Sequence, residues 1–209
     1  MRKTDCLLIL VLTVTLTGCS ATAHRRGVIF EAGAGIDEMM AEEDLDYADG
    51  AQEGRDRNGA CFPISWMLGY AFTDRFFLTG GVDNAFLSAV SVPDSLMYRS
   101  QSCVYDRASW SFIGAGAGYF FRPSAPSPYV QLSLGRCRYF PNLASMDGDD
   151  VSGLGVRLGL GYEVTPHLLV ELAIVHGKPS RTYSEWYRNL RRFEAGVTGA
   201  TVFVRGITY

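Results

Sequence analysis

The chain has 209 residues, 47% hydrophobic and 20% charged, which suits one globular domain and is too polar for a bundle of membrane helices. A formal net charge of -3 excludes a general nucleic-acid-binding role, since that wants a basic chain or a basic face. Glycine stands out, with 23 of 209 residues against a usual share of about 7%.

Residues 1–18 read as a secretory signal peptide: Arg2 and Lys3 precede an apolar stretch from Leu7 to Leu16. A membrane-spanning helix would need about 20 apolar residues, and Thr17, Ser20, His24, Arg25 and Arg26 arrive too early. Two processing sites overlap. Leu16-Thr17-Gly18-Cys19 resembles the lipobox of bacterial lipoproteins, which implies acylation of Cys19 as the first mature residue. Ala21-Thr22-Ala23 equally satisfies the small-x-small rule for ordinary cleavage before His24. Residues 19–26 are then a short linker.

From residue 27 onward the dominant period is two. Eight apolar stretches of about ten residues are separated by polar connectors, the pattern of a transmembrane β-barrel. They are Gly27 to Ile36, Phe62 to Phe72, Phe76 to Leu87, Ser109 to Phe121, Tyr129 to Phe140, Val151 to Val164, Leu168 to Gly177 and Val197 to Tyr209. In the fourth, Gly114, Gly116 and Gly118 alternate with Ile113, Ala115, Ala117 and Tyr119. In the sixth, Leu154, Val156, Leu158, Leu160 and Tyr162 alternate with Gly153, Gly155, Arg157, Gly159 and Gly161. So many glycines would ruin a helix, but small residues on one face suit the packed interior of a narrow barrel.

The connectors alternate in length. Thr73 to Arg75, Arg122 to Pro128 and Thr165 to His167 are short, whereas Asp37 to Cys61, Ser88 to Ala108, Pro141 to Asp150 and Lys178 to Gly196 are long. Outer-membrane barrels have short periplasmic turns and long extracellular loops, and an even strand count returns both termini to the periplasm. Aromatic residues gather at strand ends as an interfacial girdle requires: Trp66, Tyr70, Phe72, Phe76, Phe77, Tyr119, Phe120, Phe121, Tyr129, Tyr139, Phe140, Tyr162 and Tyr209. The chain ends Phe203-Val204-Arg205-Gly206-Ile207-Thr208-Tyr209, which resembles the C-terminal signal read by the barrel-assembly machinery. Tyr209 replaces the commoner Phe, and Arg205 interrupts the apolar stripe, leaving the facing of this strand open.

Residues 27–209 resemble the small eight-stranded outer-membrane β-barrel family, that of the outer membrane protein A membrane domain and outer membrane protein X. Gly161-Tyr162-Glu163-Val164-Thr165-Pro166 running into Leu168-Leu169-Val170-Glu171-Leu172 carries the resemblance. It implies an all-β, antiparallel, up-and-down transmembrane barrel, and says little about function. A soluble β-sandwich or lipocalin-type barrel also alternates and is the competing fold.

Several charges fall on the face opposite the apolar stripe: Glu31, Asp83, Arg157 and Glu171, with Arg205 as a further candidate. Charges inside a packed barrel must pair, so a salt-bridged lumen is expected, with a small gated channel as the sharper alternative. The long loops differ in sign. Asp37 to Cys61 is acidic, with Asp37, Glu38, Glu42, Glu43, Asp44, Asp46, Asp49, Glu53 and Asp56 against Arg55 and Arg57. Lys178 to Gly196 carries Lys178, Arg181, Arg188, Arg191 and Arg192 among aromatic residues. Arginine binds phosphate through paired hydrogen bonds, so Arg136, Arg138, Arg191 and Arg192 are candidate lipopolysaccharide contacts. The alternative is a solvated loop, or one pairing with the acidic loop.

Asp147-Gly148-Asp149-Asp150 reads as an acidic turn, too short for a full calcium loop. In an oxidising compartment two of Cys61, Cys103 and Cys137 should pair; Cys61 with Cys103 is the first choice and Cys103 with Cys137 the alternative. His176 and Ser180 loosely resemble the His and Ser of outer-membrane lipid A deacylases, but the spacing differs from that family's His-x-Ser. The expectation is therefore a non-enzymatic, monomeric outer-membrane barrel without cofactor or resident metal. It would stabilise the envelope and present loops for adhesion, host contact or lipopolysaccharide contact. A lipid A-modifying enzyme is the runner-up.

Overall fold

A computed structural model describes residues 25–87, 108–141, 150–183 and 190–209. The leader with Cys19, and residues 88–107 with Cys103, 142–149 and 184–189, lie outside them. The strands are β1 (Gly27–Tyr47), β2 (Gln52–Ala71), β3 (Phe76–Leu87), β4 (Ser109–Phe120), β5 (Ser127–Phe140), β6 (Val151–Thr165), β7 (Leu168–Gly177), β8 (Ser180–Thr182) and β9 (Leu190–Thr208). Each pairs antiparallel with its neighbour, and β1 returns to pair with β9, so the sheet closes. β7 and β8 are one wall strand. Gly177 pairs with Val197 and Ser180 with Glu194, so the register runs unbroken through Lys178-Pro179, where proline withholds a ladder donor. The barrel therefore has eight wall strands, all antiparallel and up-and-down.

Alternation sorts the side chains into two faces. In β1, Ile29, Glu31 and Asp37 are buried in the lumen while Val28, Phe30 and Ile36 stand outside. The outer face of β2 is Phe62, Ile64, Trp66, Leu68 and Tyr70, continued by Phe72 just past the strand, all exposed. β6 contributes Leu154, Val156, Leu158, Leu160, Tyr162 and Val164. A water-soluble sandwich or lipocalin-type barrel would turn such stripes inward, and a continuous apolar exterior this size belongs against lipid. At the short-turn end the exterior is aromatic: Tyr70 and Phe72 meet edge to face at 5.1 Å, and Tyr119 and Phe121 at 5.7 Å. Five predicted girdle residues belong elsewhere. Phe77, Phe120, Tyr129 and Tyr139 sit on the other phase of their strands and fill the lumen. Tyr209 is partly buried against the lower end of the lumen and reaches Glu163 there.

Three strands run further than the apolar stretches suggest. β1 continues to Tyr47, β2 begins at Gln52 and β9 at Leu190, so most of the predicted loop Asp37 to Cys61 is a strand pair closed by residues 48–51. The acidic count hides a continuing period of two. Met39, Ala41, Glu43 and Leu45 turn inward, and Glu38, Met40, Glu42 and Asp44 turn outward. Much of Lys178 to Gly196 is likewise strand, pairing Ser180 with Glu194 and Glu42 with Gly196. Along β1 and β2 the ladder passes over Gly35 and Ile36, opposite Pro63 and Phe62, because proline has no N–H to give. It resumes at Asp37 and Cys61 in the same register.

Candidate functional site

The lumen is filled in layers. At the floor, Arg25, from the predicted linker, is buried and donates to the carbonyls of Asp74 (3.0 Å) and Arg122 (2.6 Å) and to the Glu163 carboxylate. Its guanidinium lies 4.1 Å from the Phe120 ring centre, and the Tyr209 hydroxyl donates to Glu163 at 2.9 Å. One side chain thus ties two turns to β6, and the C-terminal residue joins the same carboxylate. Around it Ile29, Phe77, Phe120, Tyr129, Leu169 and Ile207 form an apolar layer.

Above that layer lies a charged belt. Arg157 is fully buried; its Nε donates to Asp83 at 2.7 Å, one Nη to the Gln131 amide oxygen at 3.2 Å and the other to Glu171. Arg205 reaches Glu171 at 3.0 Å, Glu31 at 3.3 Å and Asp83 at 3.7 Å. Tyr129 donates to Glu171 at 2.7 Å, and Gln131 to Thr79 at 2.6 Å. Two guanidinium groups thus face three carboxylates. The facing of the last strand is settled: Arg205 points inward while Val202 and Val204 point out, so it does not break the apolar stripe.

Higher still, Asp37 accepts from the Cys61 thiol and the Trp110 indole, both at 3.1 Å. The predicted loop residues Asp37 and Cys61 are therefore lumen residues on strands. Cys61 and Cys137 are buried and, among the described residues, in no disulfide; Cys103, the predicted partner of either, lies outside them. The upper end is closed by Met39, Leu45, Trp110, Phe112, Tyr139, Phe193 and their neighbours. Tyr139 stacks on Phe193 and donates to Glu43 at 2.6 Å, while Arg57 meets the same carboxylate at 2.7 Å. Glu43 stands above the apolar belt, and its burial pushes the carboxyl above its ordinary value against the pull of Arg57.

The glycine-rich faces make this filling possible. A Cβ on Gly161 would lie 2.3 Å from the Tyr129 ring, and one on Gly118 2.0 Å from the Phe77 ring. A Cβ on Gly159 would lie 2.6 Å from the Glu171 carboxylate. Tyr129, Phe77 and Glu171 thus occupy the space that a neighbouring strand's side chain would otherwise fill. Among the described residues, hollows open outside the belt. One of about 410 Å3 is at the mouth, lined by Asp46, Tyr47, Thr182, Arg191 and Arg192 among others. One of about 590 Å3 is on the outer wall, among Ile36, Glu38, Asn58, Ala60, Ala200 and Val202. No belt residue lines either.

Outside, the predicted arginines separate into two places. Arg136 and Arg138 lie on β5 at the top of the apolar wall; Arg136 donates to the Ser152 hydroxyl and Arg138 lies 3.6 Å from Asp150. Arg191 and Arg192 lie on β9 at the mouth, and Arg192 pairs with Glu194. His176 points outward and shares a hydrogen bond with Thr198 at 3.0 Å, while Glu171 faces the lumen from the opposite side of the same strand. Among the described residues, no three His, Cys, Asp or Glu side chains converge as a metal site. Tyr129, Gln131 and Arg25 were not singled out as lumen groups by the sequence; only their strand phase, or for Arg25 its place just before β1, marks them.

The architecture is that of the small eight-stranded outer-membrane β-barrels. No protein-family model and no curated protein sequence matches the chain. Among solved structures, the outer membrane protein OprG from Pseudomonas aeruginosa is 16% identical, with a TM-score of 0.52 over 90% of this chain and 98% of that one. The outer membrane protein AlkL, determined by solid-state NMR in lipid bilayers, is 14% identical, with a TM-score of 0.54 over 91% of this chain and 94% of that one.

Proposed function

We propose that the protein is a non-enzymatic, non-conducting barrel of the bacterial outer membrane, and that its working surface is its exterior and the strand extension above the apolar wall. Both termini are then periplasmic and the long connectors extracellular. The observation that carries this reading is the lumen's filling, a salt-bridged belt between two apolar layers inside an apolar wall. Eight strands leave space for packed side chains and none for an aqueous path. In this reading the chain is a monomer that enters the membrane through the barrel-assembly machinery by its last strand. An acyl group on Cys19, six residues before Arg25, would reach the periplasmic leaflet through about 20 Å of extended chain.

The channel reading and this one differ in a direct way. Purified protein in planar bilayers is expected to give no discrete openings, and reproducible single-channel steps would overturn the non-conducting assignment. The enzymatic runner-up, built on His176 and Ser180, lacks an orienting carboxylate among the described residues, because Glu171 faces the other way. Lipid A mass spectra from cells with and without the protein are expected to be identical in acyl composition.

A further inference from the structure

Around the upper edge of the apolar wall, the outward charges are not evenly spread. Arg136 and Arg138 project from β5 two residues apart. Arg136 pairs with Leu154 on β6, and the amide of Lys178 binds the carbonyl of that same Leu154 from the other side at 3.1 Å. Three cations therefore bracket Leu154 and Ser152 across three adjacent strands, a span of about 10 Å at ~4.8 Å per strand. Leu154 is 88% exposed, and Ile113, paired with Arg136 on its other side, is also exposed and apolar. The cations thus stand where hydrocarbon-facing residues give way to polar ones. On the far side of the barrel the corresponding outward groups are Glu38, Glu42 and Asp44.

Among the described residues the cations are only partly neutralised. Asp150 sits 3.6 Å from Arg138 and, among the described residues, is the one carboxylate against the group. Arg136 bonds the neutral Ser152 hydroxyl, and no ion pair of Lys178 occurs among the described residues. Arg191 and Arg192, which the sequence groups with them, stand apart at the mouth, with Arg192 committed to Glu194 and Asp46 lining the same hollow.

Resting on the outer-membrane reading, we infer that Arg136, Arg138 and Lys178 form a docking strip for the lipid A phosphates of the outer leaflet. Guanidinium forks take phosphate through paired hydrogen bonds, and an ammonium on a long stem takes it as a point charge. Position and charge agree: the strip stands at headgroup height and on one side of the barrel. Bound lipid would therefore sit against β5 to β7 and be kept away from β1 by Glu38 and Glu42.

The test uses the full chain purified in detergent and loaded with lipopolysaccharide, either intact or phosphatase-treated. Retained lipid is counted through its hydroxy fatty acids. Each cation near an anionic surface is worth about fivefold, so the combined Arg136→Gln, Arg138→Gln and Lys178→Gln change should weaken retention on the order of a hundredfold. Removing the phosphates should weaken retention by the unaltered protein similarly, and Arg191→Gln with Arg192→Gln should change it less than about twofold. Retention unaffected by the triple change, retention indifferent to phosphate, or an equal loss from the mouth arginines would each overturn the strip. The same samples run unboiled report the barrel itself. If none migrates differently from its boiled form, the outer-membrane reading fails first and the strip falls with it.

Discussion

Changing Arg157 to alanine should destabilise the barrel by about 3–5 kcal/mol, read as a lowered midpoint for thermal or urea unfolding in lipid vesicles. Arg157 is fully buried and is the guanidinium that meets Asp83 at 2.7 Å, Glu171 and Gln131 together. Its removal leaves Arg205 alone against three carboxylates in a buried interior, and an uncompensated buried charge is far more costly than a lost surface pair. Arg157→Lys keeps the charge but loses the fork that holds two carboxylates at once, so it should fall between the parent and the alanine variant. A midpoint for Arg157→Ala within about 0.5 kcal/mol of the parent, the range of ordinary surface changes, would mean the belt does not bear on stability.

The second large effect comes from Gly161. Its Cβ would stand 2.3 Å from the Tyr129 ring, and that ring has little room to retreat. Tyr129 is buried, lies 5.4 Å from the Phe120 ring centre and donates to Glu171 at 2.7 Å. Gly161→Val therefore forces the ring off the belt, combining overpacking with a carboxylate that loses a donor, about 2–4 kcal/mol together. Leu160→Val, one residue away on the lipid face, is the control and should cost under about 1.5 kcal/mol. Equal effects at the two positions would contradict the assignment of faces in β6.

The strand count and the two faces of β4 and β6 are legible in the sequence because alternation there is strict and the glycines share one phase. The same period of two continues through Asp37 to Leu45, but carboxylates on the outward phase make the segment read as a loop. Alternation survives in the inward members, Met39, Ala41 and Leu45, and a search for period rather than for apolar content would have found it. Phe77, Phe120 and Tyr129 show the opposite failure. An aromatic near a strand end is equally suited to the girdle and the lumen, and only its phase relative to Leu78, Tyr119 and Val130 separates the two. Cys61 is misplaced for the same reason as Asp37, since the strand extends past it. Lys178 joins the cations of β5 through strand register, which no local pattern in the sequence carries.

Gel mobility of the protein from isolated outer membranes, boiled against unboiled, tests the central claim most directly, because a closed membrane barrel resists detergent until heated. Faster migration of the unboiled protein, abolished by boiling, is the predicted result. Identical migration, with the protein released from membranes by salt or alkali, would contradict a membrane-spanning barrel.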